Sequence, residues 1–158
     1  MTDVVELTEG RGELARAVLS DLPEWFGRPD ALLEYVRAAD RQTMLALRLD
    51  DGRPIGFLSL RAHSPVSSEA YVLGVMRRWH RRGHGRRLFD AAARLLAARG
   101  VRNLTVKTLA ADHPDPHYAA TRAFYEALGF EPLEVFPDLW GAGTPCLLML
   151  KRLEAPAR

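Results

Sequence analysis

Apolar residues recur at every second position in some stretches of the chain and at every third or fourth in others, and the two periods alternate along its length. Val4 to Leu7 reads as a short strand, and Leu14, Val18 and Leu19 form a helical stripe that breaks at Pro23, Gly27 and Pro29. A second helix follows, with Asp30 as its N-cap and Leu32, Leu33, Val36 and Ala39 at helical spacing. Leu45, Leu47 and Leu49 then alternate, Asp50-Asp51-Gly52-Arg53 turns the chain, and Ile55, Phe57 and Ser59 alternate again, which predicts a β-hairpin. Past Pro65 and a serine-rich loop, Glu69 to Met76 is apolar on both faces, so a third consecutive strand is expected near the centre of a sheet. Gly74 interrupts that strand. A lone glycine there marks a bulge or a close approach of another backbone or a ligand, which makes it a candidate cofactor contact.

From His84 to Arg99, Leu88, Ala92, Leu95 and Leu96 form a helical stripe closed by Gly100, and Val101 to Leu109 alternates as a strand. Strand, helix and strand make a βαβ unit with parallel strands, so the sheet is mixed. A Pro-, Asp- and His-rich loop leads to a helix through Ala120, Phe124 and Leu128 closed by Gly129. Two last strands follow, near Phe130 to Val135 and Cys146 to Leu153.

At 158 residues, two separate cores would each bury too little apolar surface, so a single domain over residues 1–158 is expected. The 47% apolar content is spread out, with no membrane-length run. Met1 to Arg11 carries acidic residues where a secretory leader would be basic and apolar, so the expectation is a cytoplasmic protein without a membrane partner. Cys146 is the one cysteine, which excludes an internal disulfide and a cysteine-built metal cage. There is no internal repeat, and only Glu154 to Arg158 reads as a frayed tail.

A net charge of +2 is too small to argue for nucleic acid, but the positive charge is nearly all arginine and is unevenly placed. Arg77, Arg78, Arg81, Arg82, Arg86 and Arg87 crowd one segment, and guanidinium groups pair well with phosphate oxygens. Within it, Arg81-Arg82-Gly83-His84-Gly85-Arg86 lies between a buried strand and a helix, where the first helical amides lack intrahelical partners and the dipole favours an anion. Glycines at 83 and 85 would let the backbone approach a diphosphate. The plain alternative is a tight turn with a solvated arginine face. The third glycine of a dinucleotide fingerprint and the Gly-Lys-Ser/Thr of a triphosphate loop are both missing.

The central strand running into this turn and a long helix resembles the GNAT superfamily of N-acetyltransferases, with its R/Q-x-x-G-x-G/A signature. Val72-Leu73-Gly74-Val75 is similar to the strand that pairs with the pantetheine arm, and Arg81 to Arg86 to the loop whose amides hold the pyrophosphate. His80 stands where the family most often has Gln or Arg. Tyr118 to Phe130 resembles a second family block, a helix ending in Tyr, a small spacer and Gly-Phe, although Tyr118 replaces a frequent Asn. Together the two blocks cover about half the chain. The resemblance implies a GNAT-like α/β fold with a central mixed, mostly antiparallel sheet of about six to seven strands and about four helices. It also implies acetyl-CoA as cosubstrate, bound by Leu73, Gly74, Val75, Arg81, Arg82, Gly83, His84, Gly85, Arg86 and Tyr125, and direct attack of an amine from a small molecule, peptide or protein on the thioester.

That chemistry needs a base, an oxyanion donor and an acid. Tyr125, about 100° around its helix from a core-facing Phe124, is the candidate acid for the leaving thiolate. Glu69, at the start of the central strand, is the favoured base, with His63 and unassisted water as alternatives; each side chain also has an ordinary reading, as a solvated strand-end charge or a loop residue. The Val75 N–H is the candidate donor to the thioester oxygen.

His80 and His84 are four apart, but Gly83 argues for a loop, and Pro114 and Pro116 hold Asp112, His113, Asp115 and His117 extended, so no metal is expected. Trp140, with Phe136 and Pro137, lines an amine pocket or lids the core. Competing functions are a non-catalytic acyl-CoA sensor and a nucleic-acid contact through the arginines with Trp79 stacking. Apolar surface on the last strands leaves a homodimer open.

Overall fold

The β-hairpin forms as the turn residues predict: β2 (Thr43–Leu49) pairs antiparallel with β3 (Pro54–Ser64) in the register Leu45 to Leu58 and Leu47 to Gly56. In this computed structural model, which describes residues 1–155, β1 (Thr2–Leu7) adds to β2 antiparallel, with Val4 opposite Leu47. The period-two pattern understated burial. Met44 to Leu47 and Ile55 to Leu60 are buried on both faces, because each strand has a neighbour on either side and packed layers above and below.

The remaining elements are helices α1 (Arg11–Ser20), α2 (Pro23–Phe26) and α3 (Pro29–Ala39), then β4 (Ser67–Val75), α4 (His84–Ala98), β5 (Asn103–Leu109), α5 (Pro116–Ala127), β6 (Glu131–Phe136) and β7 (Cys146–Arg152). Among the described residues the strands order as β1-β2-β3-β4-β5-β7-β6, which puts β4 in the middle, as its apolar sequence requires. Ser67, Ser68 and Glu69 of β4 run parallel to Asn103, Leu104 and Thr105 of β5, while β5 with β7 and β6 with β7 are antiparallel. The sheet is therefore mixed and mostly antiparallel, with five helices rather than four. The extra one is α2, in the segment read as a break: Pro23 at its first position tolerates a helix start as well as a helix end. The cap of α3 is Arg28, not Asp30, because Pro29 takes the first helical position and leaves Asp30 as an acid in the first turn, where the dipole still favours it. Glu154 and Ala155 are irregular, and the rest of the expected frayed tail lies outside the described residues.

Two compact units make up the chain, Met1–Arg61 with Ala70–Leu96, and Ala62–Glu69 with the residues from Ala97 on. In the first, α1 packs Leu14, Ala15, Val18 and Leu19 against Met44, Ala46, Phe57 and Val72. Complete burial of Val18 and Leu19 contributes about 1.5–3 kcal/mol each. Arg11 donates to Gln42 O (2.9 Å) and Asp40 O (2.6 Å), and Gly12 N donates to Asp40 Oδ1 (3.0 Å), so the start of α1 satisfies groups at the end of α3. In the second unit Leu104, Val106, Leu109, Cys146 and Met149 are buried along β5 and β7.

Candidate functional site

The turn after β4 is shaped by its backbone. Arg81 has φ 61°, the one non-glycine residue with positive φ among those described, and Gly83 has φ 79°. Two positive-φ residues two apart turn the main chain sharply just before α4, and backbone N–H groups in such turns are suited to forming anion-binding concavities. A side chain at Gly83 would meet nothing within 4 Å, so the glycine is there for its dihedral and not for space. The first helical hydrogen bond of α4 runs from Arg87 N to Gly83 O (3.2 Å), which leaves the amides of His84 and Gly85 ahead of it at the positive end of the helix. Gly85 therefore sits inside the first turn of α4, as the helical pattern from His84 onward implies.

Side chains brace this turn from the first unit. His80 Nε2 donates to Val75 O at 2.5 Å and its ring meets the edge of Trp25, so this histidine ties the loop back to the end of β4. Arg77 forms part of a 3₁₀ turn (Arg77–Trp79); its N–H donates to Asp21 Oδ2 at 2.7 Å and its guanidinium to both oxygens of Glu24. Arg78 and Arg82 lie over the Trp79 ring, 5.7 and 5.1 Å from its centroid, so the aromatic proposed to stack a base is flanked by the protein's own cations. His84 touches the Trp79 edge, and burial, then Arg87 and Arg82, hold its imidazole below the usual histidine range. A cleft of about 700 Å³ runs along α1 past Leu14, Ile55 and Met76 to Trp79, with Glu9, Glu13 and Asp21 as its acids.

Gly74 has a packing reason. A Cβ there would lie 2.9 Å from Val18 Cγ1 and 3.1 Å from Leu22 Cδ1, so α1 occupies that side of β4. On the neighbouring strand a Cβ at Gly56 would lie 3.0 Å from Gly74 O.

In the second unit, Glu69 is not a solvated strand-end charge. It is the third residue of β4 and 3% exposed, and its Oε1 accepts from His63 Nε2 at 2.7 Å and from Lys107 Nζ at 3.1 Å. The two candidate bases are thus hydrogen-bonded to each other. Sequence reasoning missed Lys107; the available signal was that it is the one charged residue of β5. On α5 the expected facing is reversed: Tyr125 is the buried residue (6% exposed), its ring 5.7 Å from that of Phe130, while Phe124 is only partly buried. Tyr118 is partly buried, and desolvation, then Asp115, push its phenol up. Trp140 is 38% exposed beside Leu139, so it does not lid the core. Among the described residues no three His, Cys, Asp or Glu side chains gather as a metal site, and no helix is long and apolar enough to cross a membrane.

A family model described as an acetyltransferase (GNAT) domain matches residues 31–132, which takes in the β4 strand, the left-handed turn and the α5 helix. The chain belongs to the GNAT acetyltransferase family. Its fold is that of solved GNAT structures. A GNAT-family protein from Desulfovibrio desulfuricans superposes with a TM-score of 0.81 at 20% identity, covering 98% of this chain and 100% of that one. The ribosomal-protein-S18-alanine N-acetyltransferase of Escherichia coli gives 0.75 at 19% identity, covering 100% and 97%. An aminoglycoside 6'-N-acetyltransferase complexed with coenzyme A gives 0.73 at 19% identity, covering 99% of both chains. None of the curated proteins matches the sequence of this GNAT acetyltransferase.

Proposed function

We propose that the protein transfers an acetyl group from acetyl-CoA to a primary amine of a small molecule, peptide or protein, by direct attack on the thioester. The observation that carries this reading is the turn in which Arg81 and Gly83 hold left-handed backbone immediately before α4. Main-chain donors at a helix N-terminus, with Arg82 and Arg86 nearby, suit the diphosphate of coenzyme A. The main chain of Leu73, Gly74 and Val75 is assigned to the pantetheine arm, and the Val75 N–H to the thioester oxygen, where a fixed donor stabilises charge that develops only during reaction. Tyr125 is assigned the proton for the departing thiolate. The His63–Glu69 pair is assigned the acceptor ammonium's proton. Similar folds that carry coenzyme A, or that are named for aminoglycoside and ribosomal-protein alanine acceptors, support the donor and leave the acceptor class broad. Cys146 is a buried free thiol, which accords with action in a reducing compartment such as the cytoplasm.

The test couples calorimetry with a turnover screen. Coenzyme A should bind with saturable heat, and Arg82→Glu with Arg86→Glu should abolish that binding without changing the melting curve. Released thiol, followed across peptide N-termini, lysines, polyamines and aminoglycosides with acetyl-CoA, should single out an acceptor class. Absence of heat at millimolar coenzyme A would end this reading; tight binding with no turnover of any amine would replace it with a sensor of the acyl-CoA pool.

A further inference from the structure

We propose that His63, not Glu69, takes the proton from the acceptor ammonium, at Nδ1, and that Glu69 is its positioning residue with Lys107 fixing the carboxylate. The inference rests on the acetyl-transfer reading above. Its basis is a shared oxygen: Glu69 Oε1 lies 2.7 Å from His63 Nε2 and 3.1 Å from Lys107 Nζ. An ammonium only donates, and a carboxylate paired with it only accepts, so the Nε2 facing the same oxygen carries the hydrogen. The lone pair of the neutral imidazole is then on Nδ1. Exposure assigns the roles further, because the Glu69 side chain is 4% exposed and that of His63 is 42% exposed. An amine arriving from solvent meets the imidazole first. Protonating Glu69 would also leave the Lys107 charge without its buried partner, a costly exchange, whereas protonating His63 adds a second cation to a carboxylate already placed to stabilise it.

The pair itself joins His63 on β3 to Glu69 on β4, and the groups facing it come from two further strands, Lys107 on β5 and Cys146 on β7. Burial pushes the Cys146 thiol up to about 11, so it stays neutral and adds no charge at working pH. In the proposed step Nδ1 takes one proton from R–NH₃⁺ and passes it to solvent. The freed nitrogen pair forms the C–N bond at the thioester carbon, the C–S bond breaks with its electrons on sulfur, and the second proton lost by nitrogen ends on sulfur by way of the Tyr125 hydroxyl.

The test uses the full chain with His63→Ala, His63→Gln and Glu69→Gln. His63→Ala should lower kcat at pH 7 on the order of 10²- to 10⁴-fold with the KM for acetyl-CoA unchanged. The deficit should shrink as pH rises and free amine becomes available, and added imidazole should restore part of the rate. Glu69→Gln should lose less and displace the rising limb of the pH–rate profile, which a purely structural role would not move. Full activity in His63→Ala together with an inactive, folded Glu69→Gln would make Glu69 the base and overturn the proposal. Histidine ¹⁵N shifts decide the same point without turnover: the Nε2–H tautomer at His63 is expected, and the Nδ1–H tautomer would refute it. If no amine is acetylated at all, the function reading fails while the tautomer result still stands.

Discussion

Replacing Gly74 by alanine tests whether that glycine serves helix packing or the cofactor. The new methyl would sit 2.9 Å from Val18 Cγ1, where carbon atoms prefer about 3.5–4.0 Å, so one of them must yield by over half an ångström. Val18 is fully buried and β-branched, with little rotamer freedom to give. Overpacking of this kind costs about 1–3 kcal/mol, and in a chain of this size each kcal/mol lowers the Tm by about 2–4 °C. Val18→Ala alone should cost a similar amount, about 1.5–3 kcal/mol, through lost methyl burial and the space it leaves. In the double variant the alanine at 74 fills that space, so the pair should be no less stable than Val18→Ala. The coupling read from urea unfolding of all four proteins should then be about 1–3 kcal/mol. Because a Cβ at 74 points at α1, the double variant should also bind coenzyme A as tightly as the parent. Additivity within about 0.5 kcal/mol would refute the packing account.

Tyr125→Phe, an isosteric change at a buried site, should lower kcat on the order of 10²-fold while coenzyme A binding by calorimetry stays the same; unchanged turnover would take the acid role from this tyrosine. The folded state holds the His84 imidazole low, so below about pH 6.5 the unfolded chain binds a proton that the folded chain resists. Stability from this group is present above that pH and lost as pH falls through the folded value, so the fall in urea stability between pH 7 and 5 should be smaller in His84→Gln. For Cys146 the sign is opposite. Its thiol is raised to about 11, so its contribution is complete below about pH 8.5 and is lost as pH climbs through 11. Native protein at pH 8 should resist iodoacetamide and react only when unfolded, and rapid native labelling would contradict the burial.

The sequence by itself determined the order and type of most elements. Period two in Leu45, Leu47 and Leu49 with Asp51-Gly52 between the runs could only be a hairpin, and a strand apolar on both faces could only sit mid-sheet. The glycine turn ahead of α4 was legible too, because positive φ at Gly83 and unpaired first-turn amides at a helix start are local properties of a few consecutive residues. Tertiary structure decided what local patterns do not encode. Whether Gly74 answers to a ligand or to a helix depends on Val18, 56 positions earlier in the chain. Tyr125 rather than Phe124 went inward because helix phase is set by the whole packed face, not by the more apolar of two neighbours. Glu69 became a buried, paired carboxylate because parallel pairing of β4 with β5 brings Lys107 to it from 38 positions away. A charge has no intrinsic role in a linear sequence; its role follows from the partner that folding places within reach and from the water that folding removes.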